Sequence, residues 1–255
     1  MKTVSLNTWG GKVFDPLVSF IREQREDTDI FCFQEVLEND SDLVEVLEYQ
    51  ANLLDVFKNI LVDYNFYFYP DFFLTENGIT IFQGSAVFVK NDIKILSKDS
   101  RLIYQGTEQY DPEKNHSANA VFLEIEKVGK SIVVMSYHGI GFPGDKLDTE
   151  DRIDQSRKLV ELMEMFSSPK ILCGDFNLMP ETESVRIIEE VGMKNLIKDF
   201  GVKDTRGKIN AEQYPDSTQH FADYTFVSFG IRVKSFEVPD AEISDHCPMI
   251  LEIDY

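Results

Sequence analysis

The chain has 255 residues, of which 43% are hydrophobic, and carries 45 acidic against 25 basic side chains for a formal charge of −20. Such a length and apolar content can bury a large core, and no Ser/Gly/Pro-rich linker breaks the chain, so a single domain over residues 1–255 is expected. The charge disfavours tight unassisted binding of polyanions, and the absence of a leader-like stretch or a membrane-length apolar run leads us to expect a soluble cytoplasmic protein with no integral membrane association.

Residues 4–9 alternate in character and are rich in β-formers, which predicts a strand with Asn7 at its carboxyl end before Gly10-Gly11. Asp15-Pro16 supplies an N-cap and a first-turn proline for a helix carrying Leu17, Val18, Phe20 and Ile21. Ile30-Phe31-Cys32-Phe33 predicts a buried strand that Gln34-Glu35 terminates, so a carboxylate stands at its end. Between Arg25 and Lys58 no basic residue occurs, whereas Asp27, Asp29, Glu35, Glu38, Asp40, Asp42, Glu45 and Glu48 do. A solvated face is the ordinary use of such a span, although a divalent cation held among a few of these acids would reverse the local sign.

Over 41–62, Leu43, Val46, Leu47, Leu53, Leu54, Phe57 and Ile60 recur near helical spacing and predict one long amphipathic helix or two joined ones. The aromatic stretch Tyr64, Phe66, Tyr67, Phe68, Tyr69, Phe72 and Phe73 leads to Asn77-Gly78. Strand packing is the commoner use of such rings and stacking on bases the rarer one. Strands are predicted at 84–89 and 93–96 around Asn91-Asp92, and a hairpin at 118–127 and 131–137 closed by Val128-Gly129. His138 follows directly, at a strand's mouth, while His116 lies in the polar loop 114–117, where a histidine is ordinarily just solvated.

Thr149 caps a helix predicted over 149–166. The apolar run Ile171-Leu172-Cys173 then stops at Gly174 and presents Asp175 and Asn177. Side chains two apart on an extended segment point to one side, so this carboxylate and amide can converge on one target. In isolation an Asx turn that merely links strand to helix would be the better account of them. A short helix is predicted over 182–190, and 194–208 reads as a loop whose Lys198, Lys203, Arg206 and Lys208 form the densest basic stretch, either a phosphate contact or solvated surface. Strands at 222–227, 231–238 and 249–253 close the chain, with Asp223 in the first and Ser244-Asp245-His246 before the last. Cys32, Cys173 and Cys247 are odd in number, lie in or beside apolar segments and lack metal-site spacing, which fits reduced core thiols.

The polar residues that apolar strands deliver to their ends are Asn7, Glu35, His138, Asp175, Asn177, Asp223, Asp245 and His246. Their order, Asn, Gln-Glu, Tyr-His, Gly-Asp-Phe-Asn, Asp-Tyr, Ser-Asp-His, closely resembles the endonuclease/exonuclease/phosphatase superfamily with the deoxyribonuclease-I-like fold, over nearly the whole chain. The resemblance implies an α/β, four-layer α-β-β-α sandwich of two mixed, largely antiparallel sheets flanked by helices. It also implies hydrolysis of phosphoesters with Mg²⁺ or Mn²⁺, a hard cation suited to oxygen ligands. Carried over residue by residue, Glu35 is the principal metal ligand, with Asn7 and Asp245 completing or supporting its shell. Asp175 orients or deprotonates the attacking water, Asn177 holds a phosphoryl oxygen and His246 contacts the phosphate. Asp223 fixes the tautomer of His246, and His138 assists the leaving group from the opposite side. Either Asp175 or His246 is left as the base.

Trp9 and Ala222 stand where abasic-site endonucleases carry an acid and a tryptophan, which weakens that assignment. Three readings follow: a phosphodiesterase, with phosphomonoesters also open to it, that acts on weakly bound DNA or RNA, preferred by a small margin; a small-molecule or lipid-headgroup phosphoesterase of sphingomyelinase-like or inositol-phosphatase-like type; and a catalytically inactive binding module that keeps the fold. No catalytic position is replaced, which favours the enzyme. The sequence leaves the oligomeric state open.

Overall fold

The computed structural model describes residues 1–254 except 40, 42, 77, 113, 216 and 218. Asp40 and Asp42 of the acidic span, and Asn77 of the expected Asn-Gly turn, thus lie outside the described residues. In chain order the elements are β1 (Lys2–Asn7), α1 (Phe14–Gln24), β2 (Ile30–Asn39), β3 (Glu45–Val46), β4 (Tyr49–Gln50), α2 (Leu53–Ile60), β5 (Tyr64–Glu76), β6 (Ile79–Lys90) and β7 (Lys94–Tyr104). They continue with β8 (Ala118–Lys127), β9 (Lys130–His138), α3 (Glu150–Glu164), β10 (Lys170–Asp175), α4 (Glu183–Glu190), β11 (Met193–Asn195), α5 (Leu196–Asp199), α6 (Gly207–Gln213), β12 (Asp223–Ser228), β13 (Arg232–Glu237) and β14 (Met249–Asp254).

Two six-stranded sheets form, ordered β13-β14-β1-β2-β6-β5 and β11-β12-β10-β9-β8-β7. Each contains one parallel pair, β1 with β2 and β9 with β10, and is otherwise antiparallel. Parallel neighbours need a crossover, and α1 and α3 supply it. The period of two in β2 explains the layering. Ile30 and Cys32 join Val87 and Val89 in a core shared with Val133, Met135 and Cys173 of the second sheet and with Leu159 and Leu162 of α3. Phe31 and Phe33 point the other way, onto Leu17 and Ile21 of α1 and Leu53 and Phe57 of α2. Each such side chain contributes about 2 kcal/mol when fully buried. This is the expected α-β-β-α sandwich. No helix among the described residues is long and apolar enough to cross a membrane.

Three local expectations are corrected. The 41–62 segment is a two-stranded hairpin, β3 and β4, followed by a helix only over Leu53–Ile60. Asn39 donates to the carbonyls of Leu43 and Ala51, a side-chain bond that competes with helix, and Leu47 and Glu48 turn the chain at positive φ. The helically spaced Val46 instead packs with Leu37, Ala51 and Ile81.

The 194–208 segment is not a plain loop. It contains β11 and α5, which Asn195 caps by accepting from the amides of Ile197 and Lys198, and it leads into α6. Finally, β2 does not end at Gln34-Glu35. It runs on to Asn39 through a bulge between Phe33 and Val36, in which Glu35 takes φ 55.

Candidate active site

Strand register brings the polar residues to one end of the sandwich. Asn7 pairs with Gln34 across the parallel β1/β2 pair. Asp175 has His138 as its partner in β9 and Asp223 as its partner in β12. Antiparallel pairing of β14 with β1 returns the Ser244-Asp245-His246 segment to the same end, where Ser244 Oγ donates to the Asn7 carbonyl at 2.7 Å. Gly174 lets β10 approach β9 closely, because a Cβ there would stand 2.0 Å from the Tyr137 carbonyl oxygen and its φ is +134°.

Bulges aim two carboxylates. The Glu35 bulge lies across from Gly84 of β6, and a second bulge between Pro70 and Phe72 of β5 abuts the same glycine from the other side, carrying Asp71. Extra residues of this kind re-aim a side chain next to a site. Both acids line one cavity of about 390 Å³, together with His138, Asp175, Asn177, Asp245 and His246. A cavity of that size suits a small ligand.

At its centre is Asp175 Oδ2, which accepts from Asn7 Nδ2 at 3.0 Å and lies 3.7 Å from Nε2 of both His138 and His246. Asn7 Nδ2 also donates to Glu35 Oε1 at 3.0 Å, so one amide joins the two acids. Burial raises the Asp175 carboxyl, but the charges of His246, His138, Arg206 and Lys146 outweigh it and hold it at about 2. The main-chain N–H of Asn177 donates to Asp175 Oδ1 at 2.8 Å, fixing the carboxylate's plane.

His246 Nδ1 lies 2.7 Å from Asp223 Oδ2, with both side chains buried. Burial and Arg206 lower the imidazolium, while Asp223, Asp245 and Asp175 raise it, for a net pKa of about 9. Burial pushes Asp223 up to about 6 against the pull of His246. Thr205 Oγ1 accepts from the amides of Ala222 and Asp223 and so holds this segment in place.

All eight residues expected from the sequence meet here, but Asp245 is engaged otherwise than Glu35: its Oδ2 accepts from Arg206 at 2.9 Å. The further cavity-lining residues that the sequence did not single out as site residues include Arg206, Lys146 and Asp71. Arg206 was one member of a basic stretch, of which Lys198 pairs with Glu189 and Lys208 with Glu242, and its Nη1 lies 2.6 Å from His246 Nε2. Lys146 donates to Asn177 Oδ1 at 2.5 Å and to the Gly141 carbonyl at 2.9 Å. Asp71 is buried, with Oδ1 held by Asn119 and Oδ2 without a partner among the described residues. A lone acid inside an aromatic strand was the available signal for Asp71, and the glycine-rich loop after His138 for Lys146. His116 also borders the cavity, its ring 3.9 Å from that of Phe72.

The donor set fits a hard divalent cation. Ligand atoms of Glu35, His138 and Asp175 lie within 4.8 Å of one another. The other such trio, Asp175, Asp223 and His246, is fully buried and already spent on the Asp223–His246 pair.

The family model described as Endonuclease/Exonuclease/phosphatase family matches residues 4–246. Among solved structures, a mannosyl-6-phosphatase of Bacteroides thetaiotaomicron is 18% identical over 100% of both chains, with a TM-score of 0.71. A protein of the same family from Leptotrichia buccalis is 20% identical over 100% of both chains, with a TM-score of 0.73. D. rerio TDP2 complexed with single strand DNA product is 14% identical over 100% of this chain and 99% of that one, with a TM-score of 0.70. At these identities the likeness shows the fold. No curated protein matches the chain.

Proposed function

We propose that this chain, which belongs to the endonuclease/exonuclease/phosphatase family, whose members hydrolyse phosphoesters, is a Mg²⁺- or Mn²⁺-dependent phosphoesterase that uses in-line attack of water. The observation that carries the proposal is the convergence of Asn7, His138 and His246 on the single buried oxygen Asp175 Oδ2. Glu35 would hold the cation, with Asn7, joined to it at 3.0 Å, supporting the shell, whereas Asp245, expected beside them, is taken by Arg206. The cation supplies positive charge for the phosphoryl and departing oxygens.

Asp175, kept ionised, orients the attacking water. His246 would turn Nε2, which Arg206 Nη1 faces at 2.6 Å, to a phosphoryl oxygen, with Asp223 holding its ring in place through Nδ1. Asn177 would bind a second phosphoryl oxygen, and His138, whose Nε2 lies 3.7 Å from both Glu35 Oε1 and Asp175 Oδ2, would meet the leaving group.

Of the two substrate classes, the cavity favours a small phosphoester over nucleic acid. The rings expected to stack on bases are largely spent on packing: Phe66 lies against Phe88 under Lys58, Phe68 joins the α1/α2 core, and of the four phenylalanines in the stretch only Phe72 lines the cavity. A charge of −20 adds repulsion of polyanions. The neighbours include a sugar phosphatase as well as a protein holding single strand DNA. The unbridged, buried Cys32, Cys173 and Cys247 suit a reducing, cytoplasmic setting. A panel in Mg²⁺ and in EDTA, covering plasmid, abasic duplex, single-stranded DNA, RNA, sphingomyelin, inositol phosphates and sugar phosphates, tests the proposal. No turnover of any of them with Mg²⁺, Mn²⁺ or Ca²⁺ would leave a binding module.

A further inference from the structure

Lys146 and Arg206 line the same cavity, each attached to one of the side chains assigned to phosphoryl oxygens. Lys146, in left-handed backbone conformation at φ 59, reaches Asn177 Oδ1, and Arg206 reaches His246 Nε2. They are anchored from behind. The Gly141 carbonyl takes one Lys146 proton, while Asn210 Oδ1 and Asp245 Oδ2 each lie about 3 Å from Arg206 Nη2, at 3.0 and 2.9 Å. Burial lowers the Lys146 ammonium to about 8, so an anion at that position would replace hydration the lysine has lost.

A phosphodiester carries one negative charge and two ester arms, whereas a phosphomonoester near neutral pH carries almost two charges, one arm and a third peripheral oxygen. Beside Asn177 and His246 a third oxygen would find charged donors, where a second ester arm would offer them no charge. We propose that Lys146 and Arg206 form a clamp for the phosphomonoester dianion, making the working substrates monoesters of small alcohols. This deepens the phosphoesterase reading and rests on it. The bland alternative is that Lys146 only ties down the 139–149 loop and Arg206 only anchors α6, in which case both esters would suffer equally when either is changed.

The test uses the full chain with Mg²⁺ and compares p-nitrophenyl phosphate with bis-p-nitrophenyl phosphate. Wild type is expected to favour the monoester in kcat/KM, and Lys146→Gln or Arg206→Gln to lose at least tenfold more on the monoester than on the diester. The charge-keeping Lys146→Arg and Arg206→Lys are expected to retain the preference. A second readout needs no turnover: calorimetry in EDTA should show inorganic phosphate binding at least tenfold more weakly to the Gln variants, with dimethyl phosphate little changed. A wild type that prefers the diester, or variants that lose equally on both esters, would overturn the clamp while leaving a phosphoesterase. If neither ester reacts, the functional reading fails, and unchanged phosphate affinity in both Gln variants would remove the clamp as well.

Discussion

Replacing Gly84 by alanine tests whether the site depends on the paired bulges. Gly84 of β6 faces Val36 of β2 and Pro70 of β5, and the chain slips register beside it on both sides, at Glu35 and at Asp71. A Cβ on Gly84 would lie 2.0 Å from the Tyr69 carbonyl oxygen and 2.6 Å from Pro70 Cα. Non-bonded heavy atoms settle at about 3.5–4.0 Å, so the β5 backbone must retreat by more than ~1 Å. The opposing atoms are main chain within a ladder and cannot swing aside as a side-chain tip would. Overpacking of this kind costs about 3 kcal/mol. For a chain of this length that is a fall of roughly 6–12 °C in Tm. Thermal and urea unfolding measure it. Gly144→Ala is the matched control, because a Cβ there meets nothing within 4 Å, and it should change stability by less than ~0.5 kcal/mol. A Gly84→Ala protein that melts within about a degree of wild type would refute the steric reasoning, since the expected shift is several-fold larger.

Glu35→Gln keeps the shape but removes a ligand's charge, so Mg²⁺ affinity in calorimetric titration should fall by roughly tenfold or more with little loss of stability; unchanged affinity would move the cation to another carboxylate. For Asp223→Asn, the pH–rate profile is the measurement. His246, raised to about 9, supplies an imidazolium that is present below that pH and lost above it, and without the Asp223 charge the alkaline limb should move down by roughly one unit. An unmoved limb would detach Asp223 from His246. Asp71 is pushed by burial from 3.8 to about 6, so its contribution to stability is fully present below pH 3.8 and lost as pH rises through 6. Asp71→Asn cannot ionise, so relative to wild type it should gain up to ~3 kcal/mol between pH 4 and pH 8 by urea unfolding, and parallel stability curves would contradict the burial argument.

The fold was readable wherever an apolar run ended sharply. Ile171-Leu172-Cys173-Gly174-Asp175 is β10 but for Lys170 at its start, and Val128-Gly129 closes the β8/β9 hairpin at positive φ on both residues, as a tight turn requires. Thr149 and Thr182 cap α3 and α4 through their side chains. Misreadings arose where the deciding partner was distant in sequence. A bulge exists only relative to a neighbouring strand, so nothing within Phe33-Gln34-Glu35-Val36 reveals that β2 continues and that Glu35 is turned out of the ladder against Gly84. Likewise, Val46 shows helical spacing with Leu43 and Leu54, but its packing partners are Leu37 and Ile81. Period alone cannot separate the two when a segment is short and its stripe meets a sheet edge.

The same contrast divides the site's residues by their roles. Asn7, Asp175 and Asp223 are locked by ladder register, and a ladder needs apolar, β-prone flanks, so their positions are written into local patterns of hydrophobicity. Lys146 and Arg206 come from loops, where a cation is ordinary and its surroundings carry no period. What sets them apart is three-dimensional: each lies against a residue 31 or 40 positions away, Asn177 or His246, and the other basic groups of the 194–208 stretch with assigned ion pairs, Lys198 and Lys208, bind glutamates elsewhere. In the proposed function the ladder residues take the steps common to any phosphoester, activating water and receiving phosphoryl charge. The loop cations meet what differs between esters, the number of charges and arms on phosphorus. A chain can therefore change its substrate by altering loops while the strand ends, and the chemistry they hold, stay as they are. In this protein Lys146 and Arg206 bring two such loop cations into a cavity that Glu35, Asp71, Asp175 and Asp245 also line, and the proposed clamp rests on them rather than on the strand ends.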